Sequence, residues 1–224
     1  MGGGLEFALA CRHRIARNQP NTLLALPEIK LGLIPGWGGT QRLPRLIGMS
    51  TALEMILKGS PVNVAKSLRY GLVDVALEGA DWESRLPTVI EEVITGHGCT
   101  LSKKTWPKKT WRKWLLDKTW LGREVVGRLT RRQLADKLRN YPAIGKAISA
   151  VSHSQHSAVD GYAYERQAFT ELLFGSTARN LLGLFLQRER AKRASTWTDV
   201  DGNMQPFAKV AVIGAGAMGA GIAK

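Results

Sequence analysis

Apolar and polar positions alternate with two different periods along this chain, and the periods predict helices interleaved with short strands. Leu5–Cys11 is apolar at nearly every position and predicts a buried helix opening on Gly2-Gly3-Gly4, a close-approach backbone segment. His13–Ala16 and Thr22–Leu26 read as short strands about an Asn18–Asn21 turn. Pro27 then turns the chain outward and leaves Glu28 at the end of the second strand. Leu33–Gly39 is a proline–glycine loop with Trp37 as its large side chain. Helices are predicted over 40–47 with Thr40 as N-cap, over 50–57 with Ser50 as N-cap and Gly59 as terminator, and over 62–70 with Gly71 at the C-terminal turn. Leu72–Ala76 reads as a closing strand, and 82–94 as a helix ended by Gly96. Further helices follow at 141–149, 157–174 and 181–192. In the second of these, Tyr162, Phe169, Leu172 and Leu173 form the apolar stripe, while Glu165, Arg166 and Glu171 fall largely on other faces.

Composition adds one asymmetry. The chain has 224 residues, 44% hydrophobic and 22% charged, which is ordinary for a globular protein of one or two domains. Its net charge of +14 is concentrated between Leu101 and Arg139, where thirteen Lys/Arg face three acids around Trp106, Trp111, Trp114 and Trp120. Basic residues among aromatics suggest a helical module that binds nucleic acid or a protein partner through 101–139. No nucleic-acid motif accompanies them, so a solvated amphipathic face that buries its tryptophans is preferred. Two cysteines, Cys11 and Cys99, are too few for a disulfide framework and fit a reducing compartment; Cys11, in its apolar run, is expected to be buried. No membrane-length apolar run or secretory signal is visible, so the default location is cytoplasmic.

The candidate chemistry sits at the two ends. Glu6 and Glu28 are carboxylates beside glycine-rich backbone, and a helix starting on glycines points unpaired amides at whatever lies before it. Such a pairing can move protons next to an oxyanion-stabilising amide, although a single exposed carboxylate is the commoner reading of either residue alone. His153 and His156 flank Ser154 and Ser157 without a paired acid, and read as neither a nucleophilic triad nor a metal site. At the other end, Lys209–Ile213 is an apolar strand running into Gly214, Gly216 and Gly219, a G-x-G-x-x-G turn of the kind that holds a dinucleotide pyrophosphate. The acidic residue expected about 20 positions further on is not in this sequence.

Together these motifs carry a family likeness. The glycine run with Glu6, then Leu26-Pro27-Glu28-Ile29-Lys30-Leu31-Gly32 through Pro35-Gly36-Trp37-Gly38-Gly39-Thr40-Gln41-Arg42, and Gly71-Leu72-Val73-Asp74, resemble the enoyl-CoA hydratase (crotonase) superfamily. The succession of segments is similar to the fused hydratase and 3-hydroxyacyl-CoA dehydrogenase enzymes of fatty-acid β-oxidation. The resemblance implies an α/β fold. Residues 1–98 would form the C-terminal half of a crotonase domain (a ClpP-like spiral), 99–205 a helical linker region, and 206–224 the first βα of a Rossmann domain. It further implies Glu6 and Glu28 as the catalytic glutamates, Gly3 as an oxyanion-hole amide, Gly214, Gly216 and Gly219 as NAD contacts, a CoA thioester substrate, and a thiolase β-subunit as partner. Position 12, often acidic in the family, is Arg12 here, followed by His13. About 100 residues of the family domain precede this point in its members, so the chain is expected to be a fragment.

Overall fold

A computed structural model describes residues 1–95, 119–154, 157–192 and 211. Its first half is built from helix α1 (Gly3–Ala10), strand β1 (Ile15–Asn18), strand β2 (Leu23–Leu24), a 3₁₀ turn at Glu28–Leu31, helices α2 (Gly39–Ile47) and α3 (Met49–Lys58), strand β3 (Val62–Asn63), helix α4 (Val64–Tyr70), strand β4 (Val75–Glu78) and helix α5 (Trp82–Thr95). The second half is helical: α6 (Trp120–Gln133), the short α7 (Ala135–Leu138), α8 (Pro142–His153), α9 (Ala158–Leu173) and α10 (Ser176–Ala191). Met1–Leu184 form one compact unit, and Phe185–Lys224 a second, of which the end of α10 and residue 211 are described.

β1 and β4 pair in parallel with Ile15 opposite Val75 and Asn18 opposite Glu78, while β2 and β3 pair antiparallel with Leu24 opposite Val62. A parallel pair needs a long crossover, and here the chain from β2 to α4 supplies it. Arg14 pins the start of this ladder. Its guanidinium meets Asp74 at 2.8 Å and donates to the carbonyls of Leu72 and Cys11, and its backbone N–H donates to Asp74. The Gly-Leu-Val-Asp segment therefore closes the sheet through its aspartate. The strand itself begins later than the apolar run suggests, because Leu72 and Val73 are buried ahead of the pairing.

The core lies between α2, α3 and the helices of the second half. Leu43, Ile47, Ala52, Leu53 and Ile56 from α2 and α3 pack with Ala143, Ile144, Ala147, Ile148, Ala150 and Val151 of α8. Three alanines on the buried side of α8 keep the backbones close, and Pro142 at its first turn fits a helix start. Burying a Leu or Ile here stabilises by about 1.5–3 kcal/mol each. The stretch read as a linker thus contributes α8 and α9 directly to this core.

Several local expectations shift. Gly3 and Gly4 are helical, and only Gly2, the N-cap at φ 61, has the unusual backbone. Glu28 opens the 3₁₀ turn after Pro27 instead of ending a strand. Thr40 and Ser50 lie inside helices whose caps are Gly38 and Gly48, since glycine reaches the positive φ those entries use. Residues 62–63 form a strand, and the Asn63 side chain caps α4 by accepting from the Lys66 N–H. Gly59 and Gly71 terminate helices in the left-handed region as expected. Cys11, expected in the core, is exposed just past α1, where its thiol donates to the Phe7 carbonyl. Among the described residues, no helix is long and apolar enough to cross a membrane.

Candidate active site

Glu6 follows Gly3 by one helical turn, so the site begins at the N-terminus of α1. The Gly2 N–H donates to the Ala25 carbonyl at 2.8 Å, which ties the helix start to the segment leading into Glu28. Gly3 supplies the first amide of the helix, which has no intrahelical acceptor. A methyl group on Gly3 would touch the Trp37 ring at 3.5 Å, so the indole, itself 74% exposed, lies against that glycine.

Glu6 is 3% exposed, far from the solvated helix residue that its type alone suggests. One oxygen, Oε1, accepts from the backbone N–H groups of Trp37 and Gly39, each at 2.8 Å. The Gly36–Thr40 loop can offer those amides because its glycines admit close neighbours. Gly38 turns at φ 98, and a Cβ on Gly39 would lie 2.7 Å from Pro35 and 2.8 Å from Glu6 Oε1. The carboxylate thus rests on bare backbone at the entry to α2.

Glu28 comes from the other side. Its Oε1 lies 3.0 Å from the place a Cβ on Gly2 would take, and its Oε2 is buried with no hydrogen-bond partner among the described residues. Burial pushes its carboxyl up to about 7, with the nearby Glu6 charge adding to the rise; a bond from its own backbone N–H and the Met1 ammonium oppose it. Two carboxyl groups therefore sense each other across the start of α1. One is fixed by amides, and the other holds a proton near neutral pH.

A third carboxylate completes the cluster. Glu165, on α9, is 1% exposed, and its oxygens accept from the backbone N–H groups of Gly38 and Thr40 and from the Thr40 hydroxyl. Burial raises its carboxyl above the usual range, against the lowering effect of these bonds. The apolar stripe of its helix assigns Glu165 to an outer face, and the structure corrects that. Local periodicity carries no sign of a polar partner 127 positions away. The one available signal was a glycine-rich helix entry in need of acceptors.

His153 stacks on Tyr164 with ring centroids 4.1 Å apart, and its Nδ1 lies 2.8 Å from the Ser149 carbonyl. No group of His, Cys, Asp or Glu suited to a metal ion occurs among the described residues. Gly214, Gly216 and Gly219 lie outside the described residues, as do His156, Cys99 and Trp106, Trp111 and Trp114 of the basic stretch.

Residues 1–100 match the family model "Enoyl-CoA hydratase/isomerase". Over its whole length the chain is 37% identical to the fatty acid oxidation complex subunit alpha of Shewanella loihica and 36% identical to that of Shewanella halifaxensis. It spans 31% and 30% of those two proteins, about a third of their length. Solved structures share the fold. An enoyl-CoA hydratase from Mycobacterium avium subsp. paratuberculosis aligns at TM-score 0.53 and 18% identity, over 83% of this chain and 59% of that one. A carnitinyl-CoA hydratase from Mycobacterium avium aligns at 0.51 and 24%, over 84% and 56%.

Proposed function

We propose that Glu6 and Glu28 are the proton-transfer pair of an enoyl-CoA hydratase that adds water to a trans-2-enoyl-CoA to give the 3-hydroxyacyl-CoA. The observation that carries this reading is the contrast between the two carboxyls. Glu6 is buried with one oxygen held by the Trp37 and Gly39 amides, and Glu28 is raised to about 7 beside it. The first is an oriented acceptor; the second can be a proton donor at neutral pH.

The chemistry runs in three movements. Glu6 takes a proton from a water molecule as the water oxygen bonds to Cβ. The C=C electrons move onto the thioester, and the enolate oxygen accepts a hydrogen bond from the Gly3 N–H at the positive end of α1. Glu28 delivers its proton to Cα, and the proton on Glu6 returns to Glu28 through solvent. An amide aimed at the developing oxyanion contributes about 3–4 kcal/mol of transition-state stabilisation in well-studied cases.

The parent activity extends this reading. In it, 1–98 carry the hydratase half-site, 99–205 the helical region, and 206–224 the opening of an NAD-binding dehydrogenase unit in which Gly214, Gly216 and Gly219 approach the pyrophosphate. The similarity to fatty acid oxidation complex alpha subunits supports that extension and an acyl-CoA substrate; a thiolase β-subunit as partner and a cytoplasmic location are part of the same proposal.

Hydratase turnover is followed by loss of the conjugated-thioester absorbance. Glu6→Gln and Glu28→Gln are compared in this chain and at the matching positions of a full-length fatty acid oxidation complex subunit alpha. Each substitution should lower the rate by on the order of 10²–10⁴. Wild-type rates in both variants would overturn the assignment.

A further inference from the structure

The Gly36–Thr40 loop is shared between two carboxylates in strict alternation. The amides of Trp37 and Gly39 donate to Glu6, and the amides of Gly38 and Thr40 donate to Glu165. Four consecutive N–H groups at a helix entry are thus all satisfied by side chains, two from each side. The four amides lie on consecutive peptide planes that share Cα atoms, so a shift of the loop segment away from Glu165 carries the Trp37 and Gly39 donors with it.

We infer that Glu165 is a positioning residue for the active site: from the far side of the loop it fixes the orientation of the amides that hold Glu6. It touches no reacting atom, and the inference rests on reading Glu6 as the reacting carboxylate. Three observations support it. Glu165 is 1% exposed, a rare place for a carboxylate unless its bonds are structural. It grips the loop at three points, the third being the Thr40 hydroxyl. That hydroxyl also accepts from Gln41 Nε2, which donates in turn to the Ala150 carbonyl, so the grip is anchored in α8 as well as α9. The aromatic residues of α9 brace the same loop: Phe169 crowds Gly36, and Tyr162 crowds Gly38 while lying 5.3 Å from the Arg42 guanidinium.

The test uses the full 224-residue chain, ¹⁵N-labelled, with amide exchange and amide proton shifts as readouts, so it needs no turnover. Glu165→Gln keeps the shape but places an amino group against N–H donors. Exchange at Gly38 and Thr40 should quicken. Exchange at Trp37 and Gly39 should quicken with it, by about tenfold to a hundredfold, the loss expected for bonds to a charged group. The Trp37 and Gly39 amide protons should also move upfield, while Ala147 and Ile148 inside α8 keep wild-type protection. Quickening confined to Gly38 and Thr40 would overturn the inference and make Glu165 a helix cap only.

If Ala147 and Ile148 lose protection, the substitution has unfolded the chain, and Thr40 decides. Thr40→Val removes only the hydroxyl grip and should loosen Trp37 and Gly39; Thr40→Ser should restore them. Equal, wild-type behaviour of both Thr40 variants would again overturn it. Normal hydratase rates in Glu6→Gln would defeat the functional reading yet leave these amide readouts unchanged, so the two failures are distinct.

Discussion

Replacing Glu28 by Gln should make the protein more stable at alkaline pH and leave its relative stability nearly unchanged at acid pH. The folded state raises this carboxyl from 4.5 to about 7, chiefly by burial. Between those two values the folded chain binds more protons than the unfolded one, so wild-type stability falls as pH rises through that window. The full cost is present above about pH 7 and absent well below 4.5. A difference of about 2.5 units at ~1.36 kcal/mol each sets a ceiling of about 3 kcal/mol, and partial water access brings the expected gain to roughly 1.5–3 kcal/mol. Glutamine cannot ionise, so the variant escapes the penalty. Its carboxamide leaves a buried polar atom where Oε2 already lacks a partner, but that cost does not depend on pH and cancels in the comparison. Thermal unfolding by circular dichroism at pH 4.5 and pH 8 reads the effect. The Tm gap between variant and wild type should open in favour of Glu28→Gln by roughly 3–12 °C on going to pH 8. A gap that stays constant, or that opens in favour of wild type, would refute the placement of Glu28 as a desolvated carboxyl.

Two further perturbations probe the scaffold. Gly39→Ala puts a methyl group within 2.8 Å of Glu6 Oε1 and 2.7 Å of Pro35; it should cost about 1–3 kcal/mol of stability in denaturant titration and push the Glu6 carboxylate off its amides, seen as upfield movement of the Trp37 amide proton. Arg14→Ala leaves Asp74 without its ion pair and frees the Leu72 and Cys11 carbonyls; urea unfolding should show a loss of about 3–5 kcal/mol, with Asp74→Asn milder because a neutral amide can still accept from Arg14.

How much of this was visible in the residues depended on how far each partner lay along the chain. Glu6 and Glu28 stood out as carboxylates beside glycine runs, but the sequence did not show that each meets the other segment's glycine, Glu6 at Gly39, 33 positions on, and Glu28 at Gly2. Gly59 and Gly71 were legible because a helix that stops on glycine needs only local backbone geometry. Glu165 was not legible, since its role exists only when α9 lies on the entry to α2. Cys11 misled because an apolar run says which helix is buried, but α1 ends at Ala10 and turns its next residue outward. The position of β4 was set by Ile15 opposite Val75, a pairing no periodicity within 72–78 encodes. Thr40 carries the residue type of a cap, yet Gly38 caps the helix while the Thr40 hydroxyl goes to Glu165.

The bond from the Gly38 amide to Glu165 also has a consequence for synthesis. Its two ends are 127 positions apart. A ribosome adding about 5–20 residues per second needs roughly 6–25 s to travel from the glycine loop to the carboxylate that completes it. For that interval the nascent chain has already emerged with Glu6, Glu28 and the loop, but with the Gly38 and Thr40 amides still open to water. Glu6 and Glu28 are therefore made before the carboxylate that completes the glycine loop, on a clock set by translation.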